Sequence, residues 1–243
     1  MTLLDNTRAE SAKSLGSKAF LWCLAAGLLV PWLFSAVLFG LSEFPQDLET
    51  SQWGYRFGMP FVGVAGVLMM TSELQSGSVA YSVLADPSRW RLIVSKAAVA
   101  AASAVPVGLA AGTVSWAIAV LLQGGDGPDL SLAGAEQYRI VLAATVLYPI
   151  AALIGIAVGT FLERSAPAMV LLLLWPILIE NLIAGLPVIG EAVEVVLPFM
   201  AADQFVFDDD PEALSPGWAL LYFAVFAGVL LAAAVFRFRH RDL

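Results

Sequence analysis

Ten of the twelve Lys and Arg residues in this 243-residue chain fall on one side of six apolar stretches. The stretches run over residues 19–41, 53–72, 97–122, 138–162, 166–186 and 217–236. Each holds about the 20 apolar residues that a helix needs to cross a bilayer. Starting the chain in the cytoplasm puts four basic groups inside: Arg8, Lys13 and Lys18; Arg89, Arg91 and Lys96; Arg164; and Arg237, Arg239 and Arg241. Only Arg56 and Arg139 are left outside, so the positive-inside rule gives an N-in, C-in topology. A shift of one span would scramble this partition. The composition agrees, at 60% hydrophobic and 13% charged residues, against roughly 25% charged in an average soluble domain. The sequence therefore predicts an all-α integral membrane protein with six transmembrane helices in one domain, residues 1–243.

Carboxylates complement the basic side. The segment 187–216 carries Glu191, Glu194, Asp203, Asp208, Asp209, Asp210 and Glu212 without a basic residue, so much of the net charge of −8 lies outside. That argues against nucleic acid as a partner, because phosphate binding needs a basic surface. The first apolar run is too long for a secretory signal and contains Pro31, and the residues before Cys23 are unlike a lipoprotein cleavage box. One Cys and one His, His240, leave no intrachain disulfide and no Cys/His metal site to expect.

Catalytic motifs are missing. The sequence has no phosphate-binding G-x-x-x-x-G-K-[ST] loop, no G-x-G-x-x-G and no G-x-S-x-G elbow. The clearest ionisable group inside a span is Glu180, followed by Asn181 and preceded by Trp175. These three are the candidates for substrate or gating contact, since an intramembrane charge is a functional candidate by default. The competing expectation is that Glu180, near the external end, reaches water. Trp116 and Tyr148 read as packing or interface residues. Five spans contain an internal proline (Pro31, Pro60, Pro106, Pro149 and Pro176), and each predicts a kink. Gly108-x-x-x-Gly112 and Gly155-x-x-x-Gly159 predict close helix approach.

The most specific segment is the cytoplasmic loop 73–92, between spans two and three. Residues 78–85 can form about two helical turns, with Val79 or Ala80, Val83 and Leu84 on one face. Ser78 serves as N-cap, and Asp86-Pro87 stops the helix. So short a helix needs packing to persist. Arg89, Trp90 and Arg91 suit the headgroup boundary. Physics alone leaves two readings: a loop on the inner leaflet, or a coupling helix seated in a cytoplasmic ATPase.

The pattern Met70-Thr-Ser-Glu73…Gly77-Ser-Val…Leu84-Ala-Asp-Pro87-Ser-Arg89-Trp-Arg91…Ser-Lys96 resembles the signature of type-2 ATP-binding-cassette (ABC) transporter permeases. The closing Arg241-Asp242 also resembles the family's ending. The resemblance implies a permease subunit of a bacterial exporter in the plasma membrane, working as a homodimer or with a related permease. Separate cytoplasmic ABC ATPase subunits would carry ATP and Mg, leaving no cofactor on this chain and no enzyme activity of its own. Gly77, Ser78, Val79, Val83, Leu84, Asp86 and Pro87 would then be the ATPase-coupling residues, and Glu73, Arg89, Arg91 and Lys96 would anchor the loop. Spacing suggests a Glu73–Lys96 salt bridge across its two ends.

Thr7-Arg-Ala-Glu10 matches the S/T-x-x-E capping box. It predicts a helix from Arg8 onward with Ala9, Ala12 and Leu15 along one side, resembling the family's elbow helix on the inner leaflet. Outside, residues 188–200 are apolar but too short to cross, and they predict a re-entrant or interfacial helix like those that cap the path in similar permeases. Two rival functions remain at the sequence level: an ATP-independent ion- or proton-coupled carrier using Glu180, and a membrane scaffold without transport.

Overall fold

The computed structural model describes residues 3–41, 47–78, 89–123, 130–186, 196–208 and 214–240. Among them every regular element is helical. A short α1 (Leu3–Gly16) leads into α2 (Lys18–Leu41). Next come α3 (Leu48–Gln52), α4 (Tyr55–Ser76), α5 (Arg89–Leu122) and α6 (Ala135–Leu162). Helix α7 (Ser165–Leu174) passes through a π-turn (Trp175–Ile179) into α8 (Glu180–Ala184). Helix α9 (Pro198–Phe207) and α10 (Pro216–Arg239) complete the fold. Six segments are long and apolar enough to span: α2, α3–α4, α5, α6, α7–α8 and α10. They coincide with the six stretches read from the sequence.

Helices α4 and α6 bury most of their residues, whereas the other four spans turn most of theirs outward. An apolar outer shell around two inner helices is what a bilayer solvent permits. The inner pair can approach closely because glycines line the contact. A Cβ on Gly155 would overlap the carbonyl oxygen of Gly63 on α4, and one on Gly66 would overlap that of Ala152. On the opposite flank, Gly108 and Gly112 of α5 lie against the carbonyls of Ala144 and Val141. Both Gly-x-x-x-Gly motifs therefore sit at contacts, with Gly159 facing Val67. Backbone proximity of this kind replaces the hydrophobic drive that lipid cannot supply.

The prolines fall inside helices as expected. Pro31 cannot donate to the carbonyl of Gly27, one turn earlier. The hydroxyl of Tyr148, itself fully buried in α6, donates to that carbonyl at 3.2 Å. Tyr148 thus repairs the break in α2, a more specific role than general packing. Trp116 is also structural, its indole N–H donating to the Leu130 carbonyl at 2.9 Å. Substituting Tyr148→Phe should strand a buried carbonyl and cost about 1–3 kcal/mol. Thermal unfolding of purified wild type and variant in the same detergent measures it.

The N-terminal helix departs from expectation. It begins at Leu3 rather than near Arg8, so Thr7 lies within it and donates to the Leu4 carbonyl at 2.9 Å. Glu10 does not fold back to cap a backbone N–H. It is buried against Lys96, and a charged partner outcompetes an amide for a carboxylate. The inward face of α1 is polar, with Glu10 and Ser14 buried and Leu15 exposed.

The short helix expected between the last two spans also differs. Residues 188–195 lie outside the described residues, and the described helix, α9, starts where the expected one ends. Pro198 explains the start: its fixed φ and missing N–H suit the first helical turn.

Candidate functional site

Two polar constellations stand out, one at each end of the bundle. The first lies beneath the 73–92 loop. Helix α4 ends at Gly77, whose φ of +70° lies in the left-handed region that favours glycine, so the chain can turn sharply out of the span. Ser78 follows, its hydroxyl 2.8 Å from that of Ser76. The remaining coupling candidates, Val79, Val83, Leu84, Asp86 and Pro87, lie outside the described residues. Arg89 opens α5, and Arg91 places its guanidinium 5.6 Å from the centre of the exposed Trp90 ring.

One turn above each loop end, Glu73 and Lys96 meet at 2.9 Å, the pairing that the spacing suggests. Lys96 is fully buried and also holds Glu10 at 2.6 Å. Lys13 closes the ring, 3.1 Å from both Glu10 and Glu73. Two cations and two carboxylates therefore tie α1 to the end of α4 and the start of α5. A cavity of about 50 Å³ adjoins the ring, and Glu73 Oε2 has no hydrogen-bond partner among the described residues. Burial pulls the Lys13 ammonium down, but the hydrogen bonds and charges of Glu10 and Glu73 outweigh it and hold its pKa above the ordinary lysine value. A raised lysine pKa stabilises the folded state below the ordinary lysine range, and that contribution fades as pH climbs through the folded value. Of the four loop-anchoring candidates, Glu73 and Lys96 are thus half of a cluster whose other half sits on α1, and Arg89 and Arg91 are not part of it.

The second constellation lies at the opposite end of the bundle and centres on α9. Ten residues cannot cross a bilayer, so this helix must be held from below. Glu180 is fully buried and takes three donors: the Trp175 indole at 2.8 Å, the Phe199 amide at 3.3 Å and the Met200 amide at 2.9 Å. The carboxylate therefore caps the N-terminus of α9, where free amides and the positive end of the helix dipole favour an anion. Its expected access to water is not what the fold provides. At the other end Arg139 donates to the carbonyls of Phe205 and Val206, a cation on the negative end. In the middle, Asp203 accepts from Arg56 at 2.9 Å and from the Tyr55 hydroxyl, while Arg56 also stacks 4.7 Å from the Phe207 ring centre.

Arg56 and Arg139, the two basic residues that the sequence reading leaves outside, are therefore the two that grip α9. A cleft of about 330 Å³ lies beside this assembly, lined by Trp53, Arg56, Phe57, Asn181, Phe199 and Asp203 among others. Of the three gating candidates, Asn181 alone faces the cleft. Its side-chain amide donates to the Pro176 and Ile177 carbonyls at 3.2 and 3.1 Å, satisfying groups that the π-turn loosens. Trp175 is tied to Glu180. Sequence reasoning missed Asp203, Arg56, Tyr55 and Arg139 as one unit. An unbroken acidic segment facing two isolated external arginines was the available signal.

Replacing Glu180→Ala should leave two amides and an indole without their acceptor and loosen α9 by about 1–3 kcal/mol. Glu180→Gln, which keeps one carbonyl oxygen, should recover much of the loss. Hydrogen–deuterium exchange over residues 198–207 reads the difference, with Ala exchanging fastest and wild type slowest.

Among the described residues no group of His, Cys, Asp and Glu is arranged to hold a metal. No family model matches this chain, and no curated protein matches it.

Proposed function

We propose that this chain is the transmembrane permease subunit of an ABC exporter, orienting both termini to the cytoplasm of a bacterial plasma membrane. It pairs with a second permease, as homodimer or heterodimer, and two separate ATPases drive it. The observation that carries this reading is the 73–92 loop: an apolar-faced helix signature whose two ends emerge beside the buried Glu10–Lys13–Glu73–Lys96 cluster. A loop that transmits force needs stiff footings, and four mutually paired charges supply them. ATP binding on the partner subunits moves Gly77–Asp86, and the cluster passes that motion to α1, α4 and α5 together.

Several features support the same reading. An even number of spans returns both termini to one side, where ten basic residues gather. The external helix α9 sits over the bundle as a cap fixed to α4, α6 and α8. The sequence carries no nucleotide-binding motif, which accords with hydrolysis on a separate subunit. An ion-coupled carrier needs a carboxylate free to load and unload, whereas Glu180 is committed to three donors.

Introducing a charge at Val83→Asp or Leu84→Asp should uncouple ATP hydrolysis from export in the assembled complex and leave membrane insertion intact. Unchanged assembly and export in both variants would overturn the docking role.

A further inference from the structure

A groove of about 420 Å³ runs between α5 and α10 on the outer surface of the bundle. Its α10 wall is Gly228, Leu231, Ala232, Val235, Phe236 and Arg239, positions i, i+3, i+4, i+7, i+8 and i+11, which form one helical stripe. Val94 of α5 forms the opposite wall. Gly228 is exposed at the end far from Arg239, and a Cβ added there would meet no atom within 4 Å. Close packing within the chain therefore does not account for this glycine, unlike Gly112 and Gly155.

We propose that this groove binds one acyl chain of an anionic glycerophospholipid, with Arg239 receiving its phosphate. Length supports the assignment. Eleven residues separate Gly228 from Arg239, about 16 Å of helix, close to half of the roughly 30 Å hydrocarbon core. A chain lying from Arg239 to Gly228 thus spans one leaflet, from headgroup to midplane. Charge supports it as well. Arg239 is exposed, and among the described residues no carboxylate pairs with it, whereas Arg237 lies 3.6 Å from Glu163. The groove walls carry no acid. A basic head on an apolar slot between transmembrane helices is the arrangement that anionic lipid headgroups favour.

A second copy of the chain fits this face less well. Two copies share one orientation in the membrane, so a two-fold contact through α10 would bring Arg237 and Arg239 of both toward each other. The lipid site requires only that α10 spans the bilayer, and it stands apart from the ATPase-coupled reading.

The test uses full-length protein, with any subunit that co-purifies, exchanged into nanodiscs of phosphatidylglycerol and phosphatidylcholine in equal parts. Native mass spectrometry then counts the lipids retained on release. One phosphatidylglycerol per chain should be held in preference to phosphatidylcholine. Its retention should fall roughly fivefold or more in Arg239→Gln and in Gly228→Leu, which fills the slot without meeting protein, while Arg239→Lys should keep most of it. Equal retention of the two lipids would overturn the proposal, as would retention unaltered by both variants. Loss of self-association in Gly228→Leu with lipid retention unchanged would assign the face to a second copy and equally overturn it. ATPase capture by the loop is read separately, so failure of either idea is distinguishable.

Discussion

Lys96→Ala should be among the most damaging single substitutions in this chain, lowering stability by about 3–5 kcal/mol. The ammonium is fully buried and satisfies two carboxylates that approach from different helices. Deleting it leaves Glu10 and Glu73 facing each other in a site with little water, and Lys13 alone, half exposed, cannot neutralise both. Two unbalanced buried acids cost far more than the pair contributes when intact, because desolvation is incurred without compensation. The melting temperature in detergent should fall by roughly 10 °C. The accompanying control is Glu10→Gln/Glu73→Gln/Lys96→Met, which removes the three buried charges together and leaves only the half-exposed Lys13. It should regain much of the lost stability and still weaken coupling, because the stiff footing beneath the loop is gone. A triple variant as unstable as Lys96→Ala would show that the charges themselves are indispensable to the fold.

The second large effect is expected at the glycine contacts. Gly155→Ala adds one methyl group where the Gly63 carbonyl oxygen already lies, so α4 and α6 must separate. Overpacking of this kind costs about 1–3 kcal/mol, and a membrane bundle has little else to hold those helices together, since lipid competes equally for apolar faces. Gly112→Ala should behave alike against the Val141 carbonyl of α6. Gly16→Ala, whose added carbon meets nothing within 4 Å, should be close to neutral. Unfolding in a common detergent separates the three. Equal melting temperatures would mean that the inner helices are looser than their geometry indicates.

The spans were legible because hydrophobic length is a local property: twenty apolar residues read the same in any context. Gly77 and the Glu73–Lys96 pair were legible for a related reason, since both ends of one short loop are close in sequence. What could not be read depended on packing between distant segments. The Thr7…Glu10 pattern is a sound local cap signal, yet Glu10 is claimed by Lys96, 86 residues away. The same holds for Glu180, two of whose three donors come from α9, about twenty residues on. Asp203 and Arg56 illustrate the limit best. Each looked like an ordinary solvated charge, and only the fold brings them to 2.9 Å.

The contacts that hold α9 and those that hold α1 share a design. At both ends a short helix that cannot span is fastened to the bundle by buried or half-buried charges, to which α9 adds a buried apolar face of Phe199, Ala202, Val206 and Phe207. Helix α9 has a carboxylate at its N-terminus, a guanidinium at its C-terminus and an ion pair between. Helix α1 has Glu10 and Lys13. Such contacts are directional, so they fix orientation as well as position. In the proposed exporter, α1 follows the loop and α9 caps the path.

The most direct test is a photo-crosslinking residue placed at Leu84 in the membranes of the native host, with the captured product identified by mass spectrometry. The proposed mechanism predicts a covalent adduct with a nucleotide-hydrolysing subunit, diminished when the four-charge cluster is neutralised. Adducts confined to lipid or to the chain itself, from a correctly inserted protein that still transports, would contradict it.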